Sequence, residues 1–176
     1  MIFLLVLLLI AAVSLFLVTP SLRHREMKRF SASPIAHRGV HDDPAVDENS
    51  LTSFRIAAER GLGSELDVRL TSDGVPVVMH DAALSRMCGI DRFVSDMTLD
   101  ELKQCRLLVS GECVPTLAEV TRLTAGRVPL VIELKGEGRD RIAERTAEVL
   151  RTYEGEYAVE SFNPLICTGT GKSPRM

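Results

Sequence analysis

Tryptophan is absent from this 176-residue chain, and aromatic residues of every kind make up only 5% of it. Cysteine is scarce too. Its four thiols, Cys88, Cys105, Cys113 and Cys167, form no C-x-x-C pair and have no histidine at zinc-ligand spacing. A disulfide-stapled scaffold, a zinc site and a redox pair are thereby excluded, leaving buried or incidental thiols of the kind a reducing compartment tolerates. With 45% apolar and 26% charged residues, the composition is neither disordered nor collagen-like, and it allows one globular domain or part of a larger one. Neither sign of charge dominates: the net charge is −3. It is unevenly spread, because Arg23, Arg25, Lys28 and Arg29 face a single acid, Glu26, in 19–33, so that 34–176 carries −6. No basic stripe with interleaved aromatics follows, and nucleic acid is not an expected partner.

One long apolar run is present. Residues 2–18 read IFLLVLLLIAAVSLFLV, with Ser14 the only polar residue. As a helix, the run and its flanks would span roughly 26–28 Å, close to the ~30 Å hydrocarbon core of a bilayer. Residues 1–19 are therefore expected to be a single-pass transmembrane anchor, followed by a basic juxtamembrane linker over 20–33. A cleaved signal peptide is the alternative, but the basic start and small-x-small site it needs are missing. Positive charge just after the run favours a cytoplasmic catalytic part.

From residue 34 onward, short apolar runs alternate with helical patterns. The runs are 34–39 (PIAHRG), 64–70 (SELDVRL), 75–81 (VPVVMHD), 129–135 (PLVIELK) and 157–162 (YAVESF). Helical patterns occupy 50–61, 98–105, 116–126 and 138–155, with N-cap oxygens at Ser50, Thr98 and Thr116. Gly61, Gly126 and Gly155 stand where a helix end favours positive φ. Strand-helix repetition implies a parallel sheet. Alternation along a strand puts Glu65, Asp67 and Arg69 on one face and Leu66, Val68 and Leu70 on the other. Likewise Val131, Glu133 and Lys135 oppose Leu130, Ile132 and Leu134. Helices on an apolar outer face and charges on the inner face fit a TIM (β/α)8 barrel with its site at the strand C-termini. Five strands are read in 143 residues, whereas a closed barrel takes eight in about 250. The tail 165–176 has no strand or helix pattern, so the expectation is an incomplete barrel in a C-terminally truncated or frame-shifted product. GTGKS, from Gly169, lacks the first glycine of a nucleotide-binding loop.

Glu65, Asp67 and Glu133 converge in this scheme. Oxygen donors clustered without cysteine favour a hard divalent ion, Mg²⁺, Ca²⁺ or Mn²⁺. The same three acids could instead pair with Arg69 and Lys135 in an interior salt-bridged layer. His37 and His80 end the first and third strands, and imidazoles titrating near neutrality can divide the work of base and acid. Arg38 and Lys135 suit a phosphate oxygen. His41, beside Asp42 and Asp43, reads as a solvated loop residue. The set describes metal-assisted hydrolysis of an anionic ester, with a phosphodiester the best fit.

The strings IAHRGV, DENSLTSFRIAAERG, ELDVRLTSDGVPVVMHD, SRMCG, MTLDELKQ, VPTLAEV, VPLVIELKG and VESFNP resemble the glycerophosphodiester phosphodiesterases, in the order HR, ExD, HD, ExK, over 34–164. The resemblance implies a TIM barrel of the phospholipase-C-like type. It implies hydrolysis of glycerophosphodiesters, such as glycerophosphocholine or glycerophosphoethanolamine, to sn-glycerol 3-phosphate and an alcohol. It further implies that Glu65, Asp67 and Glu133 bind the metal, that His37 and His80 are the acid/base pair and that Arg38 and Lys135 hold the phosphate. Glu48 and Asn49 would stand in the family's PENT-like turn and orient the site. Asp47 replaces the family's proline and Ser50 its threonine, changes expected to loosen that turn. In the family the glycerol 2-hydroxyl attacks phosphorus to give a cyclic phosphate that water opens. The segment 81–95 matches an insertion that shapes the alcohol-side pocket. A phosphodiesterase acting on lysophospholipids, held near its substrate by the anchor, is the alternative enzyme reading. An inactive, non-catalytic fragment is the other.

Overall fold

The computed structural model describes residues 6–9, 12, 30, 33–136, 141–163 and 166. The chain divides into two units, Met1–Ala32 and Ser33–Met176. In the first, Val6 to Leu9 are helical. The rest of the expected anchor over 1–19, nearly all of the linker over 20–33 and nearly all of the tail over 165–176 lie outside the described residues. Among the described residues no helix is long and apolar enough to cross a membrane.

In the second unit, β1 (Ile35–Ala36), β2 (Gly63–Leu70), β3 (Pro76–Val78), β4 (Leu130–Leu134) and β5 (Tyr157–Glu160) form one sheet. Its helices are α1 (Leu51–Glu59), α2 (Ser85–Cys88), α3 (Leu99–Leu102), α4 (Leu117–Thr124) and α5 (Ile142–Leu150), with a 3₁₀ turn at Val94–Asp96. The path β1-β2-β4-β5 is parallel throughout, with Ile35 opposite Gly63, Asp67 opposite Glu133 and Glu133 opposite Glu160.

The third apolar run departs from the expected pattern. β3 pairs antiparallel with the end of β2, Val68 opposite Val78 and Leu70 opposite Pro76. Only the residues TSDGV, 71–75, separate the two strands, whereas a parallel crossover needs a dozen or more. The turn closes through Thr71 N–H to Val75 O at 3.1 Å and Gly74 N–H to Thr71 O at 2.9 Å, with Gly74 at φ +78°. The described sheet thus holds four parallel strands and a hairpin arm, not five strand-helix units. β2 runs on past the site to reach β3, so Glu65 and Asp67 sit within the strand rather than at its tip.

Local chemistry explains the helices. Ser50 caps α1, Thr98 caps α3 and Thr116 caps α4, each in a reciprocal capping box with the residue three positions on, which satisfies otherwise orphaned amides. Gly61 and Gly126 take positive φ, as expected, whereas the left-handed cap of α4 falls on Ala125. Gly155 does not take positive φ. A Cβ there would meet the Tyr153 ring and Gly126, so close approach explains its place.

Phe54 of α1, Leu117 and Val120 of α4 and Ile142 of α5 pack on Leu66, Val68, Leu130 and Ile132 of the sheet, all 0–1% exposed. Each such side chain contributes about 1.5–3 kcal/mol when fully buried. A second apolar cluster lies in the lobe between β3 and α4, where Leu84, Met87, Cys88, Val94, Met97, Leu102, Cys105, Leu107 and Val114 pack together with Val77 and Met79. Cys88, Cys105 and Cys113 are free thiols, and burial pushes Cys88 up to about 11. That matches inert structural cysteines.

Candidate active site

Every strand-borne charge expected on the inner face is there. Glu65, Asp67 and Glu133 each offer a carboxylate oxygen, and the three oxygens lie within 4.8 Å of one another. They are 8%, 1% and 7% exposed. Ionised carboxylates at such depth are costly unless something compensates them. Lys135 does so in part, its Nζ lying 2.7 Å from Glu133 Oε1 and 3.2 Å from Asp67 Oδ1. Arg38 Nε lies 3.3 Å from Asp67 Oδ2, which also accepts from Asn49 Nδ2 at 2.9 Å. Glu65 receives the Arg38 backbone N–H at 3.0 Å and has His37 Nε2 at 3.9 Å.

Glu65 stands in the field of its neighbours' negative charge. Burial, then Asp67 and Glu133, push its pKa up to about 7 against the opposing Arg38 amide. Burial opposes the charge on Lys135, but Glu133 and Asp67 outweigh it and raise its pKa. Asp67 Oδ1 is buried without an aligned hydrogen-bond donor, since Lys135 approaches it off the hydrogen-bonding direction. A surplus of negative charge, oxygen-only donors and an under-satisfied buried oxygen fit a hard divalent cation. The ion-pair layer and the cation cluster, alternatives in the sequence, share the same side chains. Arg69, the other cation expected in that layer, donates its guanidinium to the backbone carbonyls of His80, at 2.9 and 2.7 Å, and of Lys135, at 3.3 Å.

The loop after β1 is shaped by an unusual backbone. Arg38 and Asn49 take φ of +56° and +55°, a left-handed conformation that costs a non-glycine residue about 1–2 kcal/mol. The two hold each other, Asn49 N–H donating to Arg38 O at 2.9 Å. Gly39 follows at φ +77°, and a Cβ there would fall 2.4 Å from Ser53 Oγ, so α1 packs where only glycine fits. Ser50 caps α1, and the buried Asp47 carboxylate accepts the Ser110 N–H at 2.7 Å.

The structure brings His37, Arg38, Glu48, Asn49, Glu65, Asp67, Glu133 and Lys135 together. His37 is the most open, its side chain 70% exposed. His80 follows the hairpin strand rather than a barrel strand, and its Nδ1 lies 2.8 Å from Asp81 Oδ1. His41 is exposed, with Nδ1 3.2 Å from Gly39 O. Sequence reasoning gave Asp81 no role and passed over Arg86. Arg86 Nε lies 2.5 Å from Asp81 Oδ2 and Nη2 lies 2.7 Å from Glu48 Oε1. An HD dipeptide followed five positions later by arginine was the available signal. An open cleft of about 580 Å³, lined by Arg69, Glu133, Lys135, Ser161, Phe162 and Asn163, adjoins the carboxylates.

A parallel α/β sheet with acids and fixed cations gathered on its inner face has a TIM-barrel-like architecture. Residues 37–171 match the glycerophosphoryl diester phosphodiesterase family, and the chain belongs to it. It is 38% identical over 141 residues to a glycerophosphodiester phosphodiesterase of Caldanaerobacter subterraneus, covering 73% of this chain and 57% of that protein. It is 31% identical over 147 residues to glycerophosphodiester phosphodiesterase 1 of Homo sapiens, covering 77% of this chain and 42% of that protein. A phosphodiesterase of Oleispira antarctica, solved with the product sn-glycerol-3-phosphate, superposes with a TM-score of 0.71 at 32% identity, covering 80% of this chain and 62% of that one. The chain spans about half the length of the curated relatives it matches.

Proposed function

We propose that this chain carries the active site of a divalent-metal-dependent hydrolase that cleaves glycerophosphodiesters to sn-glycerol 3-phosphate and an alcohol. The observation that carries the reading is the Glu65, Asp67 and Glu133 cluster with His37, Arg38 and Lys135 against it. The three acids would hold Mg²⁺, Ca²⁺ or Mn²⁺. When bound, the ion supplies positive charge toward the phosphoryl oxygens and the attacking hydroxyl. Arg38 and Lys135 would orient the phosphate, Arg38 by its planar fork and Lys135 as a point charge. His37 and His80 would move the protons, one taking that of the attacking hydroxyl and the other protonating the departing alkoxide. Glu48 and Asn49 fix Arg38. Residues 1–19 would hold the catalytic part at a membrane on its cytoplasmic side, supported by the apolar run and the basic residues after it. That placement favours lysophospholipids as a second substrate class.

Release of glycerol 3-phosphate from glycerophosphocholine by the full chain, with each cation and with chelator, tests the reading. His37→Ala and His80→Ala should each nearly abolish release while the far-ultraviolet dichroism persists. Full activity in both variants would remove the acid/base assignment, and a folded chain inactive with every cation would favour the non-catalytic alternative. Faster turnover of micellar lysophospholipid than of soluble diester would move the substrate class to lipids.

A further inference from the structure

We propose that Arg86, resting on the active-site reading above, is a positioning residue that clamps the lobe between β3 and α4 to the turn before α1, and so sets the His80 ring and the Arg38 guanidinium together. Met87 and Cys88, the next two residues of α2, are buried in the lobe's apolar cluster, which leaves Arg86 on the helix face turned toward Asp81 and Glu48. Its Nε edge meets Asp81 Oδ2 and its Nη2 meets Glu48 Oε1. Both partners pass the constraint on. Asp81 Oδ1 sits 2.8 Å from His80 Nδ1, and an ionised carboxylate only accepts hydrogen bonds, so the proton is placed on Nδ1 and Nε2 is left as the basic atom. Glu48 Oε1 also accepts from Arg38 Nη1 at 3.1 Å, and Arg38 lies on Asp67.

An alternating path of charge, Asp81, Arg86, Glu48, Arg38, Asp67, therefore ties the acid/base side of the site to its phosphate and cation side. Arg86 is 49% exposed, and exposed pairs add little to stability, so its contribution is geometric. A guanidinium serves both partners at once through two edges, which an ammonium cannot do with the same directionality.

The test uses the full chain labelled with ¹⁵N-histidine, His80 being assigned by its loss in His80→Gln. The neutral His80 ring should be predominantly the Nδ1–H tautomer. Arg86→Ala should shift it toward a mixture, Arg86→Lys should fall between, and Arg86→Ala should add nothing in an Asp81→Asn background. In the diester assay, kcat should fall on the order of tenfold, as for loss of an outer partner of a functional histidine, with KM nearly unchanged and partial rescue by lysine. A wild-type tautomer signature in Arg86→Ala, or equal effects of Arg86→Ala with and without Asp81, would overturn the proposal. Should the alanine variant unfold, Arg86→Lys decides: an unchanged ring overturns the proposal and a shifted ring sustains it. An inactive chain whose His80 tautomer follows Arg86 retains this inference and loses the activity, whereas an active chain indifferent to Arg86 does the reverse.

Discussion

The parallel sheet and the lobe inserted between β3 and α4 solve opposite problems. The sheet is apolar on the face beneath α1, α4 and α5 and charged on the other, so its strands carry both a core and a site. The lobe has an apolar interior but little regular structure, with α2 and α3 of only four residues each. Packing, rather than a hydrogen-bonded ladder, holds it. It meets the turn before α1 through Asp47 to Ser110 and Glu48 to Arg86, and the first turn of α1 through Thr52 to Glu112. The difference teaches that the charged groups are gathered by the sheet while the lobe touches them from outside.

The largest effect that could break this contrast is on the sheet core. Phe54→Ala should cost about 3–5 kcal/mol, with hydrogen-exchange protection lost in β2 and β4 and in the lobe alike. Met87→Ala should cost about 2–5 kcal/mol, but with protection lost first at Leu102, Cys105 and Leu107 while Leu66 and Ile132 keep theirs. Simultaneous loss in both regions would show one cooperative body. Asp47→Ala leaves the Ser110 amide without its acceptor. The expected cost is about 1–3 kcal/mol, read as a lower urea midpoint, with no change in cation affinity measured by calorimetry.

The smallest effect is a pair of opposite pH dependences. Glu65 is pushed up to about 7 by burial and its acidic neighbours, so between its ordinary value near 4.5 and pH 7 the folded chain holds a proton that the unfolded chain has released. Cation-free stability should therefore rise as pH falls across that window. Glu65→Gln should flatten this slope, and at pH 6 cation binding should release about one proton. Asp81 is held down to about 2 by Arg86 and His80. Its contribution is present above pH 3.8 and lost as pH falls toward 2. Urea titrations from pH 2 to 8 without divalent ions check both signs.

Much of the site could be read from the chain before any fold was known, because strand alternation alone sorts Glu65, Asp67, Glu133 and Lys135 from the leucines between them. The caps at Ser50, Thr98 and Thr116 were equally local. The hairpin was misread although TSDG lay in plain view: an apolar run reads the same whether its strand is parallel or antiparallel, and only the length of the connection discriminates. Asp81, read only as the end of the third run, was given no role, and Arg86 escaped notice because it belongs to no strand face.

Periodicity and capping chemistry are properties of neighbours along the chain, so the amino-acid order alone determined most of the helix and strand segments, which face of β2 and β4 is charged and which family the chain belongs to. The pairing direction of β3, the crowding that raises Glu65 and the Asp81, Arg86, Glu48 and Arg38 relay join residues up to 68 positions apart. Tertiary structure alone decided these, because Coulomb energy and burial depend on distance in space.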